Sequence, residues 1–461
     1  MSKNLSTLLL IILGILSGSA FGSDQSERWY TQGTFKPVER VQIQIINSLD
    51  FNRDNCPIVI KRDDFPIQDL HEFWVTVVDP DLPSDGEPTK ELLARQGFHQ
   101  ARQEKNGHHI SHQLDDLDHD GLWDELFFMT DLKASETKII YVYLGFNQRG
   151  WNPHATHAGI GNYCRHLVPF WESEHVGWKL WYASDCDIYG KRTSQLMSED
   201  LYMKNLDGYG VPYDMGSDIM SVSNSFGGGG ICVFEHTEYP DSVSRPRFTP
   251  ARGKQGFKYN FNVGQVSDTR YAFDVVVNGP LRSTIKVKTM NWNTGTGSYE
   301  LEQNYTAYAH HNYAICKVKF HQFNSQKDRI SAGVGIRKNQ NEMMHYNQGG
   351  VIITAGPEEI RNPDDIEGLQ KLTVDYVGTA LVVKEEYQPI YHFISGWKGN
   401  HVFQVTQSDD IEFEYLIAAG WSEGSVLKIL DDFKEYVLKI SIGYFQPPQV
   451  NISPIDEKIG D

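Results

Sequence analysis

Seven stretches of this chain alternate apolar with polar residues or run β-branched over strand length. They are "VQIQIIN" (41–47), "FWVTVV" (73–78), "TKIIYVYLG" (137–145), "GWKLWYAS" (177–184), "YAFDVVVNG" (271–279), "STIKVKTMNW" (283–292) and "AICKVKFHQF" (314–323). A period of two places successive side chains on opposite faces, so each stretch buries one face as a strand, and Gly, Asn and Asp between them supply turns. Many strands at short spacing predict an all-β fold, a large antiparallel β-sandwich. Helical periodicity is scarce. Val426, Leu427, Leu430, Phe433 and Val437 recur at helical spacing in "SEGSVLKILDDFKEYVLKI", which predicts a short amphipathic helix near the C-terminus. A second short helix is expected in "TKELLARQGF" (89–98), and "FGGGG" (226–230) reads as a turn entering the strand "ICVFEH". The expected organisation is a small β-rich N-terminal module over 23–146 followed by a large sandwich over 147–461.

The first 22 residues carry Lys3, an apolar run from Leu8 to Leu16 and a small-residue end at Ala20-Phe21-Gly22, the layout of a cleavable export signal. The run is shorter than the roughly 20 residues a spanning helix needs, and no later stretch approaches that length. A secreted or periplasmic protein with no membrane span is expected. A formal net charge of −18 disfavours nucleic acid, whose phosphates need a basic footprint. Five cysteines lie far apart with no CxxC pair, so no zinc ribbon or disulfide scaffold is signalled. Cys164 and Cys186 are candidates for one bridge in an oxidising compartment, and buried free thiols are the equal alternative.

"DLDHDGLWDE" (116–125) crowds five carboxylates into ten residues. The DxDxDG spacing sets Asp116, Asp118 and Asp120 on one side of a tight loop, and Gly121 permits the bend that wraps an ion. Position twelve is Phe127, and the flanks read as strands, so this is no EF-hand. The candidate ligands for a structural Ca²⁺ are Asp116, Asp118, Asp120, the Leu122 carbonyl and Asp124. A solvated hairpin with Asx turns is the alternative.

The segment 115–145 resembles the bacterial family known as domain of unknown function 4861. That family follows a DxDxDG-x-x-DEL strand pair with blocks similar to "VPFWESEHVGWKLWYASDCDIYGKR" (168–192), "DMGSDIMSVSNSFGGGGICVFE" (214–235), "VVVNGPLRSTIKVKTMNW" (275–292) and "LIAAGWSEG" (416–424), all present here in order. The resemblance implies an exported protein of polysaccharide degradation, often of uronic-acid polymers. It also implies a supersandwich similar to that of galactose mutarotase and of polysaccharide lyases.

Sugar sites combine aromatic platforms with carboxylates and amides. Trp171, Glu174, Asp214 and Asp218 are the candidate substrate contacts. If 175–182 is a strand, Trp178 and Leu180 share one face while Lys179 and Trp181 share the other, and one of these faces must be core. A uronate lyase neutralises the carboxylate, removes the C5 proton and protonates the leaving oxygen. His310, Tyr308, Glu172 and Arg282 are the candidate catalytic groups, and of the adjacent His310 and His311 only one can line a cleft. At least three of Trp171, Glu172, Glu174, Asp214, His310 and Arg282 are expected in one concave site. The alternatives are a non-catalytic sugar-binding accessory protein and a mutarotase- or epimerase-like enzyme. No GxSxG, Walker or dinucleotide fingerprint is present.

Overall fold

The computed structural model describes residues 29–32, 35, 37–67, 69–82, 104–146, 152–163, 166–181, 184–204, 215–222, 225–234, 243–246, 269–294, 296–325, 331–362, 370–395, 399–405 and 411–457. The expected export signal, the expected helix at 89–98, Cys164 and Asp214 lie outside these residues. The first strands are β1 (Thr31–Gln32), β2 (Pro37–Ile46), β3 (Arg53–Lys61), β4 (Trp74–Asp79), β5 (Glu104–Lys105), β6 (His108–His109), β7 (His112–Asp115), β8 (Glu125–Leu132) and β9 (Thr137–Gly145). There follow β10 (Thr156–Tyr163), β11 (His166–Ser173), β12 (Val176–Trp181), β13 (Asp185–Lys191), β14 (Gly216–Asp218), β15 (Gly230–Phe234) and β16 (Val243–Ser244). Then come β17 (Arg270–Asn278), β18 (Arg282–Asn293), β19 (Gly297–Tyr308), β20 (Tyr313–Ser325), β21 (Ser331–Arg337), β22 (Met344–Gln348) and β23 (Val351–Arg361). The chain ends through β24 (Lys371–Val383), β25 (Ile390–Ile394), β26 (Asn400–Gln404), β27 (Glu412–Trp421), the helix α1 (Leu430–Phe445) and β28 (Gln449–Glu457).

The protein is all-β, and each of the seven stretches read as strands coincides with one over most of its described residues. An eight-stranded sheet, β17-β18-β19-β20-β27-β24-β23-β22, forms one layer of the sandwich. The other layer joins two five-stranded sheets, β10-β11-β12-β13-β14 and β16-β15-β21-β26-β25, through a bridge between Cys186 and Gly227. Gly227 has φ of 60°, and a Cβ there would lie 2.0 Å from the Cys186 carbonyl oxygen, so only glycine lets the two sheets meet. Between the layers lies one large core that includes Trp171, Trp178, Ile188, Trp292, Tyr305 and Tyr415. Its burial of apolar area is the main force closing the sandwich. Cys56, Cys186, Cys232 and Cys316 are buried free thiols.

The outer face of the eight-stranded sheet is covered twice. Phe433 and Val437 of α1 pack on Tyr376, Ala380 and Leu416. The helix starts later than its periodicity suggested, because Leu427 has φ of 54° and cannot continue a helix. The N-terminal module pairs sheet β28-β2-β9-β4-β6 with sheet β3-β8-β7 over a core of its own. It docks through Phe127 and Met129 on Leu281 and Ala309. No helix among the described residues is long and apolar enough to cross a membrane.

Candidate functional site

The layer made by β10 to β14 turns its inner face to the core and its outer face to a set of ionisable groups. In β12, Val176, Trp178 and Leu180 enter the core, which leaves Lys179 and Trp181 outward. In β13, Cys186 and Ile188 go inward, and Asp187, Tyr189 and Lys191 point out. The register sets Lys179 opposite Asp187, and its Nζ lies 3.1 Å from Asp187 Oδ2 and 3.2 Å from Asp218 Oδ2 on β14. Burial, reinforced by the charge of Asp218, pushes the Asp187 carboxyl up to about 7 against the pull of Lys179. Burial also opposes the Lys179 charge, yet the two carboxylates outweigh it and hold the ammonium well above the usual lysine range. Its ammonium stands 5.3 Å from the ring of Tyr202 and 5.9 Å from that of Trp181. Asp218, with 25% of its side chain exposed, is the group of this trio nearest to water.

Further along the same face, Glu172 of β11 is fully buried against Lys191, which donates to its carboxylate. Glu172 also accepts the backbone N–H groups of Met197 and Ser198, the latter at 2.8 Å. Burial alone would raise its pKa, but Lys191 and these hydrogen bonds hold it below the ordinary value. Every oxygen is therefore committed to the fold. Glu172 is a structural ion-pair member, not the catalytic group its sequence position suggested.

Glu174 and His175 form the turn between β11 and β12 and meet the turn between β19 and β20. Glu174 Oε1 lies 2.7 Å from His310 Nδ1, and the same carboxylate accepts the His310 backbone N–H at 3.0 and 3.1 Å. His310 sits at φ of 63°, a strained conformation for a histidine, and these three contacts fix it there. His175 Nε2 approaches the same carboxylate at 3.6 Å, while the hydroxyls of Ser194 and Ser425 flank its Nδ1. The hydrogen bond that His310 donates to the Glu174 carboxylate raises the His310 pKa, against a smaller effect of burial. With 45% of its side chain exposed, His310 presents its far edge to solvent at the rim of a cavity of about 450 Å³. Tyr313, Tyr436, Tyr444, Lys439 and Asn55 line that cavity between the module, α1 and the eight-stranded sheet. His311 lines the same cavity from a buried position, its Nε2 2.9 Å from the Asn55 carbonyl oxygen. Burial pulls its pKa down to about 4.

Of the sequence-predicted group, the structure thus brings Glu174 and His310 together, and Glu174 serves as the histidine's partner. Trp171 belongs to the core, fully buried and stacked on Tyr305 at 4.4 Å, so it offers no platform to a sugar. Arg282 is buried between Asp115 and Glu125 of the module, with its guanidinium over the Phe127 ring at 4.6 Å. That arginine docks the module and has no charge to spare for a substrate. Tyr308 packs between the rings of Phe127 and Tyr313, behind the dyad and not in the cavity wall. Asp218 joins Lys179, and Asp214 lies outside the described residues. Sequence reasoning passed over the buried ionisable groups Lys179, Asp187 and Lys191. The alternation in "KLWY" and "DCDIYGK" signals their common face, but their pairing across strands is a matter of register.

In the acidic loop, Asp116, Asp118 and Asp120 each offer an oxygen, and the three lie within 4.8 Å of one another. Asp116 accepts the N–H of Gly121 at 2.8 Å, Asp120 accepts that of Leu122 at 2.7 Å, and Gly121 has φ of 91°. Asp124 stands apart from this trio, since its Oδ2 accepts the Leu117 N–H at 2.6 Å.

Two solved structures are similar in fold. One is a protein in glycosyl hydrolase family 38 from Enterococcus faecalis, 9% identical, matched over 91% of this chain and 48% of that one with a TM-score of 0.45. The other is an alpha-mannosidase from Enterococcus faecalis, 9% identical, matched over 91% and 46% with a TM-score of 0.44. This chain spans about half the length of either. No curated protein matches the sequence. The family model described as domain of unknown function DUF4861 matches residues 45–450, nearly the whole chain, and the chain belongs to that family.

Proposed function

We propose that this chain is an exported enzyme that cleaves uronate-containing poly- or oligosaccharide by lyase-type acid–base chemistry, with His310 as the proton-abstracting base. The observation that carries this reading is the Glu174–His310 dyad, in which a carboxylate 2.7 Å from Nδ1 fixes the ring and leaves Nε2 to meet a ligand at a cavity rim. Glu174 is then a positioning residue that raises the basicity of its partner. Lys439, 44% exposed beside Asp54, is the cation closest in character to what a uronate carboxylate needs. Nε2 takes the proton at C5, the electron pair it leaves forms the C4–C5 double bond, and the C4–O bond breaks. The leaving oxygen takes its proton from a phenol, for which Tyr436 is suited because burial keeps it protonated and its oxygen already accepts the Asn312 N–H.

The test is a rise in ultraviolet absorbance from the new double bond when the protein meets a panel of uronate polysaccharides. His310→Ala should lower the rate by about a hundredfold or more. Glu174→Gln should shift the acid limb of the pH–rate profile to lower pH, because it removes the group that raises the His310 pKa. Sugar binding with no absorbance change on any polymer would replace this reading by that of a non-catalytic accessory protein. Full activity in His310→Ala would dismiss the dyad. In the same reading the acidic loop holds a structural Ca²⁺ through Asp116, Asp118 and Asp120, supported by their convergence and by the bend at Gly121.

A further inference from the structure

At the opposite edge of the eight-stranded sheet, four strands from β20, three side chains from two layers point at one spot. Glu342 lies in the turn before β22, His345 stands on β22, and His401 stands on β26 of the facing sheet. His401 Nε2 is 2.9 Å from Glu342 Oε1, and His345 Nδ1 is 3.7 Å from the same oxygen. The two imidazole rings stack with centroids 4.4 Å apart. We propose that Glu342, His345 and His401 bind a divalent transition-metal ion of the zinc class, with a fourth coordination position open to water.

The geometry fits that ion in three respects. Bonds of about 2.0–2.1 Å in a tetrahedral shell put donor atoms roughly 3.3 Å apart, and the observed 2.9 and 3.7 Å straddle this value. Groups behind the donors already orient two of them. The Tyr391 hydroxyl lies 2.9 Å from His401 Nδ1, so in the tautomer with the proton on Nδ1 it accepts that hydrogen bond and the Nε2 lone pair faces the site. The Thr354 hydroxyl donates to Glu342 Oε1 at 2.7 Å and in turn accepts the Asn339 N–H at 2.9 Å. Lys338 Nζ stands 3.8 Å from the other carboxylate oxygen, and Oε1 is the oxygen that faces both imidazoles.

Access and ligand type complete the argument. His401 is 3% exposed and His345 is 35% exposed, so the trio is anchored on the sandwich side and open on the other. Two imidazoles and one carboxylate suit zinc, cobalt, nickel or copper, whereas Ca²⁺ and Mg²⁺ demand oxygen shells. Three protein ligands with an open position describe a reactive type of zinc site more than a closed structural one. The ion would also tie β22, the edge strand of one sheet, to β26, the strand next to the edge of the other.

The experiment uses the full chain stripped with chelator and then titrated with Zn²⁺ by calorimetry and with Co²⁺ by visible absorption. About one equivalent should bind, with the intense Co²⁺ bands of a four-coordinate site. His345→Ala changes an exposed ligand with little risk to folding and should weaken binding by at least tenfold, roughly the lower range for loss of a partner that merely orients a ligand. Thr354→Val should weaken it by about tenfold without touching a ligand. Asp118→Ala, in the distant acidic loop, should leave Zn²⁺ stoichiometry unchanged. Absence of Zn²⁺ binding to the parent chain, or binding that His345→Ala does not alter, overturns the proposal.

Discussion

His310 and His311 are neighbours in sequence with opposite fates, and the cause is the turn they share. The φ of 63° at His310 swings one ring to Glu174 and solvent and the next into the seam beneath Asn55 and Tyr313. Alternation predicted that only one of the pair could line a cleft, yet both line the cavity, His310 exposed and His311 buried, because they sit in a turn where the strand period of two does not hold. The buried neighbour makes stability depend on pH. In the unfolded chain His311 protonates near 6.5, whereas in the fold burial lowers its pKa to about 4. A depressed histidine contributes stability that is intact above the unfolded pKa and fades as pH falls, since the unfolded state then binds the extra proton. Between pH 6.5 and 4 the parent should lose about 3 kcal/mol from this one group. Urea unfolding of the parent and of His311→Gln at pH 7 and pH 4 measures it: the stability gap between them should shrink by about that amount, and an unchanged gap would contradict the assignment.

At the scale of elements, the strands were legible because their period is two and their buried face is unambiguous. β12 illustrates both the reach and the limit: the pattern separated Trp178 and Leu180 from Lys179 and Trp181, yet it could not say that Asp187 would stand across from Lys179. Arg282 shows the same limit, because its partners Asp115 and Glu125 come from β7 and β8, more than a hundred and fifty residues earlier. Trp171 and Glu172 misled for another reason: a carboxylate and a tryptophan side by side read alike in a binding loop and in a strand that buries both. The acidic loop between β7 and β8 is legible in spacing alone. Three like charges held within 4.8 Å repel unless neutralised, so with Ca²⁺ in place the loop is stabilised by mass action. Adding Ca²⁺ to the chelator-stripped chain should raise the melting temperature, and Asp118→Ala should melt at one temperature with or without added Ca²⁺. Equal melting of the parent chain under both conditions would reduce the loop to a plain hairpin with Asx turns.

On the scale of the whole molecule, the N-terminal module is completed by the far end of the chain. After α1 crosses the back of the eight-stranded sheet, β28 pairs antiparallel with β2, and Val450, Ile452 and Ile455 pack on the module's core. Arg40 reaches Asp456 at 2.7 Å, and Arg53 bonds the Gly443 and Gln446 carbonyls at the end of α1. Nothing in the alternation of "QVNISPIDE" names its partner, since strand order is set by three-dimensional closure and not by local period. The cavity beside His310 depends on this closure, because its walls come from the module, α1 and the main sheet together. Removing residues 446–461 should therefore do more than shorten a tail. It strips three partly buried apolar side chains from the module, a loss of about 3 kcal/mol, and leaves β2 as an unpaired edge open to intermolecular pairing. The truncated chain should melt several degrees lower and form larger species in light scattering, while tryptophan fluorescence from Trp171, Trp178 and Trp292 in the sandwich core stays native at low temperature. A truncated chain that melts with the parent and remains monodisperse would show that the module, and the wall it gives the cavity, does not rely on β28.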